Sequence, residues 1–471
     1  MKPIILSFCL LLLFRLLSAQ PLSGQSSVSL QSNFLFSDKQ LPFWLEVNRL
    51  GTVSNKHGAQ QLWGIDWQHR GNPFGKRGFS IDFGASLNGR TGNEPSVFAT
   101  EYWGKFYARK AYLLAGAQSD PVYAEGLSLS NGDLFQSRNA RPLPRVEFGA
   151  SDVTPFPSGG ASFFSFDFKY AEHFLIDDRI VSHPGLHHKW IRFNFKITPE
   201  LTFRTALDHW VFWDGYSSEY GDLPGFNYYW KYVRGKEGGD ESPETDQNNV
   251  AGNQLGQYVF QLNYHQDGYC LDIYWHHLFE DRSGMEWDNA EDGYGGLALT
   301  WLKETPLLKL IVMEYVHTMD QSGAFHLDKP NPENPARPTG RGRDNYFNNS
   351  VYRSGFVAYN RMMGLPLFVP TINEDGVSVG FASTRLWGIH SGFSGYFSEQ
   401  VQWTGMMTWS RYFGNYGSRI SPSQKLFSLA VSCQYQPKQK PISYSVRMAA
   451  DLGDYEEPSL GVEFSLRYQL K

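Results

Sequence analysis

The sequence predicts an all-β fold, and within that class a transmembrane antiparallel β-barrel of about 16–18 strands with a filled lumen. Three observations point there. Apolar and polar residues alternate with period two in segment after segment, and no amphipathic helix of three turns is recognisable after the leader. Many of these runs reach about 9–12 residues; a tilted strand needs about 9–11 to cross a bilayer, whereas strands of soluble sandwiches average roughly five to six. Connections alternate between short turns and long polar excursions, as in outer-membrane barrels.

Taken in order, residues 1–19 read as an export signal. Lys2 supplies the positive end, Ile4 to Phe14 the apolar core, and Leu17-Ser18-Ala19 before Gln20 the cleavage site. Arg15 and the short apolar run argue against a retained anchor, which needs roughly 20 apolar residues. Residues 20–471 then form one barrel domain. "SSVSLQSNFLFS" (26–37) opens it, and "GFSIDFGASLNG" (78–89) sets Phe79, Ile81, Phe83, Ala85 and Leu87 against Ser80, Asp82, Ser86 and Asn88. "FFSFDFKY" (163–170), "HKWIRFNFKI" (188–197), "QYVFQLNYH" (257–265), "YCLDIYW" (269–275) and "ISYSVRMAADL" (442–452) repeat the scheme. The last stretch, "GVEFSLRYQLK" (461–471), alternates Val462, Phe464, Leu466, Tyr468 and Leu470 with Glu463, Ser465, Arg467, Gln469 and Lys471. Turns "TPE" (198–200) and "HQDG" (265–268) contrast with long loops near 217–256 and 318–350.

Hydrocarbon offers no hydrogen-bond partners, so an exported chain without apolar helices spans only as a closed sheet. Alternation then means lipid outside and a polar lumen inside, with Trp190, Arg192, Asp272 and Tyr274 in the inward set. The 16% of aromatic residues suits girdles at the two interfaces. The place implied is the cell outer membrane, with its lipid as a partner. Net charge is −5, and loss of Lys2 and Arg15 with the leader makes it more acidic, which speaks against a nucleic-acid partner. Cys270 and Cys433 fall on opposite edges of their strands and are expected to be free, buried thiols. A soluble secreted β-propeller or sandwich is the alternative, but no repeat of fixed period is visible.

Four stretches resemble one family. "GNQLGQYVFQLNYHQDGYCLDIYWHHLFEDRSGM" (252–285), "NYFNNSVYRSGFVAYNRMMGLPL" (345–367), "LSNGDLFQSRNARPLPRVEFG" (129–149) and "LPFWLEVNRLG" (41–51) are similar to motifs of the Wzi-type capsule-assembly outer-membrane proteins. The resemblance implies a monomeric, roughly 18-stranded barrel that binds capsular polysaccharide at the outer surface and helps assemble it there. Better-known members carry an N-terminal helical bundle, for which the strand-like 26–37 leaves no room. Outer-membrane barrels usually end in an aromatic residue, and here Phe464 and Tyr468 are the rings nearest Leu470-Lys471.

Candidate site residues fall in three segments. In "SRNARPLPR" (137–145), Arg138, Arg141 and Arg145 offer guanidinium forks for the carboxylates of acidic sugars, or members of an ion network inside the lumen; the network is the preferred reading. In 326–349, Arg337, Arg341 and Arg343 accompany Asn345, Tyr346 and Phe347, a mixture of charge, amide and rings suited to polysaccharide. In 228–249, Tyr228, Trp230 and Arg234 either bind polysaccharide or form part of an aromatic girdle, and the acidic run Glu237 to Asp246 lacks EF-hand spacing. Adjacent strand residues point to opposite faces, so His187-His188 and His276-His277 do not chelate as pairs, and neither metal nor cofactor is expected. No catalytic signature is expected either, whether nucleophile elbow, His-Glu-x-x-His pair or phosphate-binding glycine loop. Two functions compete: surface attachment or assembly of capsular or extracellular polysaccharide, and a channel for small solutes.

Overall fold

The computed structural model describes residues 24–54, 58–72, 78–92, 94–155, 163–239, 242–243, 250–324, 326–327, 340–341 and 343–470. The leader 1–19 and its cleavage site lie outside them. Eighteen antiparallel strands form one sheet. They are β1 (Gly24–Ser37), β2 (Gln60–Gly71), β3 (Phe79–Thr91), β4 (Ser96–Ala108), β5 (Ala111–Ala117), β6 (Arg145–Val153), β7 (Phe164–Phe174), β8 (Gly185–Lys196), β9 (Leu201–Trp213), β10 (Asn253–Gln266), β11 (Tyr269–Phe279), β12 (Gly293–Trp301), β13 (Leu310–His317), β14 (Leu386–Ser398), β15 (Val401–Gly414), β16 (Arg419–Tyr435), β17 (Ile442–Gly453) and β18 (Ser459–Leu470). Each strand pairs with its neighbours in the chain, and β18 returns to β1 with Leu470 opposite Val28 and Gly461 opposite Ser37. The sheet is therefore closed, with no edge left to satisfy.

Period-two alternation translates directly into wall chemistry. On β18, Leu460, Phe464, Leu466 and Leu470 are exposed on the outer face, while Glu463 is buried and takes both amino groups of Arg49 at 2.6 and 2.9 Å. Arg192 and Asp272 lie inward as expected: Arg192 Nε meets Asp167 at 2.8 Å, and Asp272 accepts from Gln261, Asn263 and the Tyr123 hydroxyl. The two cysteines are free and on opposite faces, yet they are not buried. Cys433 is exposed beside Val431 on the outer wall, because the apolar edge of a barrel strand faces acyl chains and not a protein core.

One end of the barrel carries turns as short as 109–110, 267–268 and 399–400; the other carries the connections 38–59, 118–144, 214–252, 280–292 and 318–385. The two excursions placed near 217–256 and 318–350 thus have other limits. Asn253-Gln254-Leu255 already pair with Phe212, Val211 and Trp210, which ends the first early. The second runs on to residue 385 because 351–385 forms only ladders of two to four residues. These connections divide by destination. Residues 38–54 and segments 118–144 and 343–385 fold into the lumen, where Phe135, Tyr346, Phe347, Phe356, Phe368 and Leu365 are fully buried. Parts of 214–252 and 280–292 fold over the outer wall instead: Tyr232 and Ala251 cover Val211, and Trp287 stacks on His277 with ring centres 3.8 Å apart, whereas Leu223 joins the lumen cluster and Asn289 and Asp292 bond Tyr346.

Candidate functional site

The 118–144 segment leaves β5 at the long-connection rim and descends through the lumen. At its lowest point Glu125 bonds Lys309, in the short turn between β12 and β13, and accepts from Ser394 Oγ at 2.9 Å. Halfway, Glu314 on β13 holds it. That buried carboxylate accepts from Ser128 Oγ at 2.6 Å, Leu129 N at 2.6 Å, Tyr294 OH at 2.7 Å and the Tyr274 hydroxyl. Four donors satisfy its two buried oxygens. The 343–385 segment packs on top, Leu365 N donating to Leu134 O at 3.0 Å. Gly364 allows this contact, since a Cβ there would lie 2.1 Å from Leu134 O. The barrel is plugged by its own connections.

Within this plug the three arginines of 137–145 part ways. Arg145 joins an ion pair, its Nε 2.7 Å from Glu147. Arg138 donates to Ser119 Oγ at 2.9 Å and to Asp120 O at 2.8 Å. Arg141 differs: its guanidinium lies between the rings of Phe98 and Tyr359, 4.0 and 4.5 Å from their centres, and its buried Nε has no partner among the described residues. The expected ion network therefore describes Arg145 and not Arg141. Four other arginines are paired with carboxylates, Arg49 with Glu463, Arg179 with Asp177, Arg192 with Asp167 and Arg361 with Glu46, whereas Arg204 meets Asn263 and Arg467 meets Ser29 Oγ at 2.8 Å. Arg141 lines a cleft with Gln118, Ser119, Asp120, Gln136 and Lys169. Burial pulls its pKa below the usual guanidinium range and pushes the Tyr359 phenol up to about 12. A planar fork clamped by two rings, without a carboxylate of its own, is arranged to receive an anion bidentately.

The 326–349 loop does not form the aromatic platform expected of it. Tyr346 and Phe347 are fully buried, so their rings cannot stack on a sugar. The Tyr346 hydroxyl donates to Asp292 Oδ2 at 2.9 Å, and Phe347 packs on Phe368 at 4.6 Å. Asn345 Oδ1 accepts from Thr384 Oγ1 at 2.7 Å. Arg343 is exposed, 5.6 Å from the Tyr416 ring centre. Arg337 lies outside the described residues, as does the side chain of Arg341. Sequence alone did not separate lumen from surface here because aromatic residues serve both. Within this loop, the Asp344 carboxyl is raised to about 7 by burial and by the charge of Asp281, and its Oδ2 is buried without a partner among the described residues.

Tyr228, Trp230 and Arg234 sit on the outer wall, apart from the lumen cluster. Lys231 lies over the Tyr228 ring at 4.3 Å and Arg234 near Trp230 at 6.0 Å. Most of the acidic run that follows, including Asp240, Glu244 and Asp246, lies outside the described residues. The histidine pairs split as their geometry requires: His276 bonds Gln257 at 2.9 Å inside, and His277 bonds Gly284 O at 3.1 Å outside. Gly376-Val377-Ser378-Val379-Gly380 does carry the Gly-x-Ser-x-Gly spacing, which corrects the expectation that no elbow motif occurs. Its context is wrong for a nucleophile elbow. Ser378 is 1% exposed, donates to Ser354 O at 2.9 Å, and starts a short strand paired with Pro370–Ile372.

Fold and plug define a closed, 18-stranded antiparallel barrel of the outer-membrane type. No protein-family model matches the chain, and no curated protein matches it. Among solved structures it is similar to Wzi of Escherichia coli, described as an outer-membrane protein involved in group 1 capsule assembly and a carbohydrate-binding β-barrel. The likeness has a TM-score of 0.54 at 12% identity and covers 93% of this chain and 83% of that one. It is also similar to OccK5 (OpdH) of Pseudomonas aeruginosa, with a TM-score of 0.51 at 9% identity over 96% and 99% of the two chains. At such identities the likeness carries the fold.

Proposed function

We propose that this protein is an outer-membrane polysaccharide-binding barrel, a monomer that attaches or assembles an acidic capsular or extracellular polysaccharide at the cell surface. Residues 1–19 export it and residues 20–471 form the barrel. The observation that carries the reading is Arg141, a ring-clamped guanidinium with no carboxylate, in a cleft near the long-connection end. A uronate carboxylate matches its fork, and the exposed Arg343 adds a further cation along the same end. The likeness to a carbohydrate-binding barrel agrees with this reading.

A channel for small solutes is the competing function. Against it stands a lumen crossed by 118–144 down to Lys309 and packed with buried rings. The deciding experiment pairs binding with conductance on the purified protein. Arg141→Gln, and separately the joint replacement of Arg337, Arg341 and Arg343 by Gln, should weaken binding of an acidic polysaccharide while the heat-modifiable migration of the folded barrel is kept. Unchanged binding in both, together with steady large openings in planar bilayers, would transfer the protein to the transport class.

A further inference from the structure

The outer wall changes chemistry along the barrel axis. Across β7, β8 and β9 the outward rows nearest the short turns are Phe164–Phe195–Phe203, Phe166–Phe193–Thr205 and Phe168–Ile191–Leu207. Above them come Tyr170–Lys189–His209 and then Glu172–His187–Val211. Acyl chains cannot solvate an ammonium or a carboxylate, so hydrocarbon contact ends between the third and fourth rows.

Residues 228–233 of the 214–252 connection lie over that polar upper wall. The short helix Tyr229–Val233 is fastened from beneath: the Tyr229 hydroxyl meets Glu172 and lies 2.6 Å from that of Tyr170, and Lys189 donates to Val233 O. Among the described residues nothing covers Phe226 and Trp230 on the opposite side of the helix. Phe226 is 76% and Trp230 58% exposed, and Lys231, Arg234 and Lys236 are exposed beside them. Among the described residues the nearby acids are Asp222 and Glu237, both exposed, Glu219, which pairs with Arg353 at 3.2 Å, Glu172 beneath the helix and Asp214 beside Gly225. Between residues 226 and 236 every charged side chain is cationic. Aromatic rings flanked by cations, directly above an acyl-facing band and pointing the same way, match the level where lipid headgroups begin.

We infer that segment 226–236 docks the phosphate-bearing headgroup of an outer-leaflet lipid on the outside of the barrel. Phe226 and Trp230 enter the boundary between acyl chains and headgroups, while Lys231, Arg234 and Lys236 meet the phosphates. Continuity with the lipid-facing rows favours a lipid over a soluble polymer, and the cationic run favours phosphate over neutral sugar. The inference is independent of the polysaccharide site at Arg141.

The test uses the full folded protein in phosphatidylcholine nanodiscs doped with bisphosphorylated lipid A or with its dephosphorylated form. Native mass spectrometry then counts the lipid A molecules retained. The wild type should retain the bisphosphorylated form selectively, and each cation removed among K231Q, R234Q and K236Q should lower that selectivity by roughly fivefold. Phe226→Ser with Trp230→Ser should lower retention of both forms. Should the triple variant fail to fold by heat-modifiable migration, Arg234→Gln and Lys236→Gln, which follow the helix, carry the test singly. Equal retention of the two lipids by the wild type overturns the inference. So does wild-type selectivity in the cation variants, or displacement of the lipid by a soluble acidic polysaccharide.

Discussion

The guanidinium of Arg141 lies 4.0 Å from the ring centre of Phe98, so a residue of the plug is clamped against a residue of the barrel wall. The Tyr359 ring is the second aromatic contact, its centre 4.5 Å from the same guanidinium carbon. Stacking holds the cation without neutralising it, which leaves its charge for a ligand.

Removing that charge gives the first prediction. Arg141→Gln should reduce affinity for an acidic polysaccharide about tenfold or more, because a hydrogen bond to a charged group is worth roughly 1.5–3 kcal/mol. Neutral polysaccharide should be unaffected. Titration calorimetry on both polymers checks this, and an equal loss for both would show that the variant acts through packing.

Glu314 gives the second. Glu314→Ala leaves Ser128 Oγ, Leu129 N and two tyrosine hydroxyls without their acceptor, at a cost of about 1–3 kcal/mol for each donor left unsatisfied. The loss should fall on the plug, because the wall is held by its own ladder. Limited proteolysis should then cut between residues 120 and 136 while the barrel keeps its folded migration; a fully resistant variant contradicts the anchor role.

Conductance gives the third. The wild type should show no steady large openings in planar bilayers, whereas Glu314→Ala should show intermittent ones as the 118–144 segment leaves the lumen. Identical traces from the two proteins would mean that this segment does not gate the passage.

The fourth concerns pH. Burial, with Asp281 adding its charge, raises Asp344 from 3.8 to about 7, and burial together with Asp344 raises Glu280 well above its usual range. A carboxyl whose pKa is higher when folded keeps a proton that the unfolded loop releases. The loop is thus favoured increasingly as pH falls from about 7 towards 3.8, and that gain is lost as pH rises through 7. Amide exchange at Phe347, whose N–H donates to Glu280 at 2.7 Å, should quicken on the order of tenfold between pH 5.5 and 8.5 after correction for intrinsic rates. Asp344→Asn should flatten the response, and a flat wild-type profile would discount the raised carboxyl at Asp344.

Phe347→Ala gives the fifth. Deleting a fully buried ring that packs on Phe135, Phe356 and Phe368 should cost about 3–5 kcal/mol, seen as a lower melting temperature in detergent. An unchanged melting temperature would place the ring outside the packed plug.

The sequence by itself determined the wall of this protein. Alternation such as Phe164, Phe166 and Phe168 against Asp167 and Lys169 assigns every residue to lipid or lumen, because neighbouring side chains on a strand point in opposite directions whatever the tertiary context. Strand length and turn spacing then brought the strand count within reach. Only the tertiary structure decided what the connections do. Nothing local distinguishes Tyr346, buried against Asp292, from Trp230, open on the outer wall, since both sit in polar, aromatic loops. Likewise Arg138, Arg141 and Arg145 look alike three and four residues apart, and it is Glu147, Ser119, Phe98 and Tyr359, brought in from three other places in the chain and one close by, that make one an ion pair, one a neutral contact and one an unpaired cation. Strand periodicity is a local property of the backbone, whereas the partner of a loop side chain is set by contacts between segments far apart in sequence.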